Sequence, residues 1–342
     1  MPRIRNLQTS RTSKHYHQQL REALVLFCSH CRTIGSSLVK VCSSPELANT
    51  VLIEYIQQLY ARGQSLKLAT HTVLGTQTAF RPLKGKLRGA WDSIASWSDE
   101  APSKLRPALP EPLLWSMTLL ARLWASEASG VEALEWWVMS ALLPTGFYAV
   151  LRPYELLRLC PRKVSLPGGF TTECPFPIVA IIRPKNRRRL GHTQFAVARH
   201  HEVAPWLRWI SAGLPLDTPF WTSSAGIFRR KFVDLTRSLG VGHLGFTPAC
   251  LRAGGLTHFF QLGVDPSRLL FWARQSAPAT LNHYLQEAVA SLVLMQLPPE
   301  SVDRIKLLLC KAAFLREPPP QPWCLLASRG RQLLLPPGKK RQ

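Results

Sequence analysis

Four residues of this sequence are of the types needed to break a phosphodiester bond. A tyrosine hydroxyl can attack phosphorus, and arginines can neutralise the charge on the two non-bridging oxygens. A lysine can protonate the leaving 5′ oxygen. Together they predict strand cleavage through a phosphotyrosine, with arginines in the place of a metal ion. The candidates are Arg152, Lys185, Arg252 and Tyr284, in the segments LRPYELLRL, IIRPKNRRRLGHTQFAV, TPACLRAGGLTHFFQLG and ATLNHYLQE.

The two arginines are expected where one helix ends and another begins. Arginine suits phosphate because its planar fork donates to two oxygens and stays charged. Glu155 lies one helical turn after Arg152 and is placed to hold it. Thr247 is predicted to cap a helix that begins at Pro248, whose free N–H groups would favour a phosphate beside Arg252. The following residues are small and would let this helix pack closely: Ala253, Gly254 and Gly255.

The candidate general acid lies in a basic loop between two predicted strands. Phe176–Arg183 is rich in β-branched and apolar residues, and Gln194–Arg199 is its predicted partner. A mobile loop would let Lys185 enter the minor groove and reach the leaving oxygen, although the loop also fits a solvated basic turn. The arginines of this loop could act by phosphate contact alone. They are Arg183, Arg187, Arg188 and Arg189.

In order and spacing these segments resemble the tyrosine recombinase/integrase family. The resemblance covers about residues 15–296 and is specific in the catalytic half. It implies that Arg152 and Arg252 are the two cationic residues and that Lys185 is the general acid. It also implies that Tyr284, 32 residues after the second arginine, is the nucleophile. No cofactor and no metal are implied.

Two positions depart from the family's usual set. The family has histidine three residues before the second arginine, where this chain has Ala249, which cannot accept a proton. It has His or Trp nine residues before the tyrosine, where this chain has Gln275, which can still donate a hydrogen bond to a phosphate oxygen. We expect His243 and His258 to be structural or surface residues. His283 is the histidine to test as a substitute base.

The rest of the chain must supply the elements that hold these residues. Ser44 and Pro45 predict the start of a helix that Gly63 stops, and Trp91 and Trp97 are expected in the core of the same bundle. The segment 98–112 is rich in proline and charge and is predicted to be a linker. Further helices are predicted at Leu66–Phe80, Leu113–Ser126, Gly130–Leu143, Ala204–Ala212, Ile227–Ser238, Pro248–Leu262, Pro278–Leu297 and Ser301–Leu315.

These elements predict a mainly α protein with a small antiparallel β-sheet, which matches the two-domain clamp of tyrosine recombinases. The last helices either dock onto a neighbouring protomer, as the resemblance implies, or cover the chain's own core. We assign residues 1–14 to a disordered basic N-terminus, 15–105 to a helical core-binding (SAM-like) DNA-binding domain, 106–316 to the catalytic domain and 317–342 to a Pro-rich basic tail.

The charge of the chain favours a polyanionic partner. Lysine and arginine number 43 against 20 aspartate and glutamate, for a formal net charge of +23. The expected partner is double-stranded DNA, and the resemblance implies a homo-oligomer, a tetramer on DNA.

No secretory signal or membrane span is predicted, so we expect an intracellular, DNA-associated protein, nuclear in a eukaryote, with organelle targeting left open. The cysteines are expected to be reduced, with zinc at Cys28, His30 and Cys31 a weak alternative.

Two functions fit these observations. The chain is either an active strand transferase, which serves a mobile element through DNA recombination or integration, or a catalytically decayed relative that only binds DNA. The replacement of the histidine by Ala249 favours the second function. The presence of both arginines, the lysine and the tyrosine favours the first. A topoisomerase of the related tyrosine type would share the chemistry, but its usual companion domains are not found in this sequence.

Overall fold

The chain divides into two compact units, Met1–Lys104 and Leu105–Gln342. The computed structural model describes residues 14–101, 107–168, 174–182, 184, 191–275, 278, 281, 284–311, 315 and 317–319. Within these residues, none of the helices combines the length and the apolar character that a membrane span requires. All four residues with predicted chemistry belong to the second unit.

The first unit is a helical bundle around its own apolar core. The hydroxyl of Ser44 accepts a hydrogen bond from the backbone N–H of Leu47 at 3.1 Å, which confirms the predicted helix start. Gly63 follows that helix with φ of +64°, as predicted. Trp97 is buried in the core, and Trp91 packs against the same core. The helices are α1 (Lys14–Thr33), α2 (Leu38–Val41), α3 (Pro45–Ala61), α4 (Leu66–Ala79) and α5 (Arg88–Glu100).

The second unit is mainly helical and carries a small sheet. Its helices and strands are α6 (Glu111–Glu127), α7 (Gly130–Tyr148), α8 (Pro153–Leu156), β1 (Val164–Ser165), β2 (Ile178–Ile182), β3 (Thr193–Val197), α9 (Val203–Ser211), α10 (Ala225–Ser238), α11 (Cys250–Gln261), α12 (Pro266–Trp272), α13 (Glu287–Met295) and α14 (Pro299–Lys311). The sheet is antiparallel with strand order β1-β2-β3. The two predicted strands are confirmed, whereas the two-residue strand β1 was not predicted.

Two sequence predictions for this unit are wrong. Thr247 does not cap a helix at Pro248: α11 begins at Cys250, whose backbone N–H donates to the carbonyl of Thr247 at 2.8 Å, so residues 247–250 form a turn instead. The predicted helix over 278–297 is interrupted, because Tyr284 lies in a turn and α13 begins only at Glu287.

Small residues bring α11 against the main chain of its neighbours, as predicted. A methyl group on Gly254 would overlap the carbonyl oxygen of Leu109, and one on Gly255 would overlap the carbonyl oxygen of Phe147, on α7. The C-terminal helices cover the core of their own chain: α13 contacts α11 and α14 contacts α6. Their buried apolar side chains, among the described residues, are Ala290, Val293 and Ile305.

We expect Gly255→Ala to lower the free energy of unfolding by about 1–3 kcal/mol, because the added methyl forces α11 away from the backbone of α7. Gly226→Ala is the matched control, since a methyl there would meet only the hydroxyl of Ser224, at 3.6 Å. That change should be neutral or stabilise the protein by up to about 1 kcal/mol, because alanine is the better helix former. Urea titrations of both variants measure the difference. Equal midpoints would contradict the close packing.

Candidate active site

Arg252 lies at the centre of the candidate site, in the first turn of α11, and is only 2% exposed. Its Nη1 donates to the carbonyl oxygen of Val150 at 2.6 Å, and its Nη2 donates to the carbonyl oxygen of Ala273. These two carbonyls belong to the C-terminal ends of α7 and α12, where the helix dipole favours a cation. The Nε of Arg252 is buried without a partner among the described residues.

Both helix ends that meet Arg252 carry a non-glycine residue in the left-handed conformation. Val150 has φ of +51° and Arg274 has φ of +54°, and no other non-glycine residue in the described part of the chain has positive φ. Each stands at a position where helices usually end in glycine. The chain after α7 closes with a hydrogen bond from Leu151 N to the carbonyl of Gly146 at 2.9 Å. The same arrangement closes α12, from Gln275 N to the carbonyl of Leu270 at 3.0 Å.

The conformation of Val150 is strained, and hydrogen bonds to its carbonyl offset the strain. A β-branched residue at positive φ is an outlier, at a cost of roughly 1–2 kcal/mol. It directs the Val150 carbonyl towards two guanidinium groups, since Arg274 Nη2 also donates to this oxygen, at 3.0 Å. Hydrogen bonds from charged donors are about twice as strong as neutral ones.

Arg274 is a site residue that the sequence prediction missed. It is 5% exposed, and its Nη2 also donates to Oε2 of Glu155 at 2.9 Å. Its Nη1 donates to the carbonyl of Trp272 at 3.1 Å. The available signal was an arginine directly beside the motif position Gln275, at the end of an apolar helix. Nothing in the local sequence indicated its partner, which lies 119 residues earlier.

Glu155 joins the two remaining arginines. Its Oε1 accepts from Nη1 of Arg152 at 2.7 Å, so the predicted contact is confirmed, and its Oε2 accepts from the backbone N–H of Arg152 at 3.0 Å. Burial alone would raise the pKa of Glu155, but the charge of Arg274 and the charge and hydrogen bonds of Arg152 outweigh it and hold the pKa below its usual range. The carboxyl is therefore ionised at neutral pH.

The charges of the site do not cancel. Arg152, Arg252 and Arg274 contribute three guanidinium groups, and among the described residues Glu155 pairs with two of them, Arg152 and Arg274. Burial and the neighbouring charges of Arg152 and Arg274 lower the pKa of Arg252. An excess of buried positive charge is costly unless an anion compensates it. The site is therefore suited to an anionic ligand.

Tyr284 lies beside Arg252, with the Cζ of Arg252 5.5 Å from the centre of the tyrosine ring. The partly buried ring packs against Ala108, Ala253 and Ala290. Thr257, on α11, fixes the backbone: its hydroxyl donates to the carbonyl of Tyr284 at 2.7 Å and accepts from the N–H of Gln286 at 3.2 Å. The same helix thus carries Arg252 and holds the segment of the candidate nucleophile.

The two departures from the family motif also lie in this region. Ala249 lines a half-open pocket of about 250 Å³, together with Pro153, Leu157, Ala225, Phe228, Arg229, Thr247 and Pro248. Pro153 follows Arg152 in the chain, and Ala249 is one helical turn before Arg252. Gln275 is half-buried, and its Oε1 is buried without a partner among the described residues.

Several predicted residues have no described position or lie elsewhere. Lys185 and the loop arginines Arg183, Arg187, Arg188 and Arg189 lie outside the described residues, as does His283. His258 is a packing residue, with its ring against Phe147 and Tyr148. Burial lowers the pKa of His258, and the nearby carboxylate of Glu111 offsets this only in part. In the described part of the chain, no three His, Cys, Asp or Glu side chains are grouped as metal ligands.

The sequence matches no protein-family model and no curated protein. Among solved structures, the chain is similar to a tyrosine-to-phenylalanine variant of the Tn1549 transposon integrase in complex with transposon right end DNA, with 15% identity, a TM-score of 0.55, and coverage of 85% of this chain and 97% of that one. It is also similar to XerA recombinase, with 15% identity, a TM-score of 0.39, and coverage of 85% and 95%. A third similar structure is XerH site-specific recombinase bound to difH, with 14% identity, a TM-score of 0.44, and coverage of 73% and 71%. The mainly helical second unit with its small antiparallel sheet has the fold of tyrosine recombinase catalytic domains.

Proposed function

We propose that this chain binds double-stranded DNA and transfers its strands through Tyr284, in the manner of a tyrosine recombinase. The observation that carries the proposal is the guanidinium of Arg252, 5.5 Å from the ring of Tyr284, in a site with an excess of buried positive charge. A phosphodiester gains negative charge on its non-bridging oxygens as it is attacked. Fixed cations in a site of low dielectric stabilise that charge without reorganising.

In the proposed reaction the phenol oxygen of Tyr284 forms a bond to phosphorus and the bond from phosphorus to the 5′ oxygen breaks. The phenol proton passes to His283, the candidate substitute base, or to solvent, and Lys185 protonates the departing 5′ oxygen. The products are a 3′-phosphotyrosine and a free 5′ hydroxyl. A 5′ hydroxyl freed in the same way on a partner strand then attacks the phosphotyrosine. Its oxygen forms a bond to phosphorus, the bond from phosphorus to the phenol oxygen breaks, and the phenol regains its proton, so that no cofactor is consumed. Arg152 and Arg252 stabilise both transition states, with Gln275 as a possible donor to the same phosphate.

The rest of the chain is proposed to hold the DNA. Residues 15–105 would form the core-binding half of a clamp around the duplex, with residues 106–316 as its catalytic half. The loop arginines Arg183, Arg187, Arg188 and Arg189 would contact phosphates, consistent with a net charge of +23. We propose that protomers assemble on two DNA sites as a tetramer, and that the element served is a mobile one.

The second candidate function is DNA binding without cleavage. The observation in its favour is Ala249, which offers no group that accepts the proton of the nucleophile. The near-complete burial of Arg252, with two of its nitrogens bound to main-chain carbonyls, also fits a structural role.

One experiment separates the two functions. The protein is incubated with a pool of nicked duplexes of different sequence, and the mixture is then denatured. After cleavage the short fragment between the cut and the nick diffuses away, so the covalent intermediate cannot be religated. Strand transfer predicts a covalent protein–DNA adduct that is absent in Tyr284→Phe. Tyr154→Phe is the matched control, because the ring of Tyr154 is 65% exposed on α8 and its loss should leave the adduct unchanged.

DNA binding by the same proteins completes the test. Salt-sensitive DNA binding without an adduct would contradict strand transfer and support DNA binding without cleavage. An adduct that persists in Tyr284→Phe would remove Tyr284 as the nucleophile.

A further inference from the structure

Arg274 is buried in the site without a part in the proposed chemistry. Its side chain makes a bridge between two points, the carbonyl oxygen of Val150 at 3.0 Å and Oε2 of Glu155 at 2.9 Å. Each of these points also holds another arginine. The Val150 carbonyl accepts from Arg252, and the Glu155 carboxylate accepts from Arg152.

We propose that Arg274 is a positioning residue that fixes the turn between α7 and α8 and thereby aligns Arg152 with Arg252. The proposal rests on the proposed function of this site. Arg152 and Arg252, which would bind the phosphate, belong to different elements. Both contact the turn that runs from residue 150 to residue 155: Arg252 through the carbonyl of Val150, and Arg152 through the carboxylate of Glu155. Arg274 connects the two ends of that turn, so the distance between the attachment points depends on it.

The differing exposure of the two arginines that pair with Glu155 indicates why a second cation is needed there. The side chain of Arg152 is 23% exposed, whereas those of Arg274 and Glu155 are 5% and 4% exposed. Arg152 is therefore the member that can turn towards a phosphate. If it weakens its contact with Glu155 in doing so, Arg274 still holds the buried carboxylate in place. Both of these contacts are made by Nη2, while Nη1 of the same guanidinium donates to the carbonyl of Trp272 at 3.1 Å. The second nitrogen therefore fixes the first in place, which the single ammonium of lysine cannot reproduce.

The test compares Arg274→Met and Arg274→Lys with Arg268→Met. Arg268 is an exposed arginine on α12, the helix that ends just before Arg274. The first readout is the rate at which phenylglyoxal modifies Arg152, followed by mass spectrometry of the peptide. We expect both changes at 274 to raise this rate several-fold, because Glu155 no longer holds Arg152 firmly.

The second readout is the single-turnover rate of adduct formation. We expect Arg274→Met to lower it by about 10²-fold, the loss that a misplacement of about 1 Å causes. Arg268→Met should leave both rates unchanged.

A double substitution distinguishes positioning from general stability. If Arg274 acts through Arg152, then Arg152→Met with Arg274→Met forms adduct no more slowly than Arg152→Met alone. Multiplied effects would overturn the proposal, and so would wild-type rates of both reactions in Arg274→Met. If the wild-type protein forms no adduct, the proposed function fails, and the modification rate of Arg152 alone decides the role of Arg274. Circular dichroism checks that each variant is folded. If Arg274→Met does not fold, the two rates of Arg274→Lys decide whether Arg274 is a positioning residue.

Discussion

Replacement of Ala249 by histidine will raise the rate of adduct formation by about 10²–10⁴-fold, the range that a positioned acid–base group contributes. The imidazole would lie three residues before Arg252, at the residue that immediately precedes α11. The pocket of about 250 Å³ beside Ala249 has room for the ring, so the substitution should not disturb the packing of Pro153 and Phe228. Single-turnover kinetics on the nicked duplexes measure the change.

Ala225→His is the matched control, since Ala225 lines the same pocket from α10 but is not at the motif position. It should leave the rate unchanged. The rate of the Ala249→His variant should rise as pH increases through about 6.5, where histidine becomes neutral and able to accept a proton. If both variants react at the wild-type rate, proton acceptance does not limit cleavage in this protein.

Glu155→Gln will lower the free energy of unfolding by about 3–5 kcal/mol, because it leaves two guanidinium groups, the half-buried one of Arg152 and the buried one of Arg274, without their carboxylate. Asp217→Asn is the control. Asp217 also pairs with an arginine, Arg162, at 2.7 Å, but both side chains are more than half exposed. Pairs of this kind contribute at most about 1 kcal/mol. In urea titrations at neutral pH, the loss of unfolding free energy should therefore be several-fold larger for Glu155→Gln than for Asp217→Asn.

The effect of Glu155→Gln should also depend on pH in a defined direction. The folded protein holds the pKa of Glu155 below the unfolded value of about 4.3. The carboxylate therefore stabilises the protein above about pH 4.3, and this contribution is lost as the pH falls through the folded pKa. The difference between wild type and variant should be constant at higher pH and shrink on further acidification. A difference that grows towards low pH would contradict the ion pairs at this residue.

Local patterns predicted the helices and strands well, because caps, stops and alternation are properties of neighbouring residues. Ser44 and Gly63 limit a helix through contacts with residues one turn away. The helix start at Thr247 was wrong because Thr247 offers its carbonyl, rather than its hydroxyl, to the N–H of Cys250. The continuous helix across Tyr284 was wrong because the side chain of Thr257, from α11, takes the backbone groups of that segment.

The candidate site was predictable only where its residues match a known order. Arg152, Arg252 and Tyr284 follow such an order, whereas Arg274 does not. Its role depends on a left-handed backbone at two helix ends and on partners 119 and 124 residues away. The close approach of Arg252 to main-chain carbonyls was equally hidden, because a sequence does not show which carbonyls are turned inward.

The left-handed turn at Val150 has a consequence for the order in which the molecule is made. During synthesis this turn leaves the ribosome more than a hundred residues before Arg252 and Arg274, which hold its carbonyl. Until they arrive, neither guanidinium group offsets the strain of this turn. The arrangement of the three arginines around this turn is therefore completed late, when the nascent chain already contains most of the second unit.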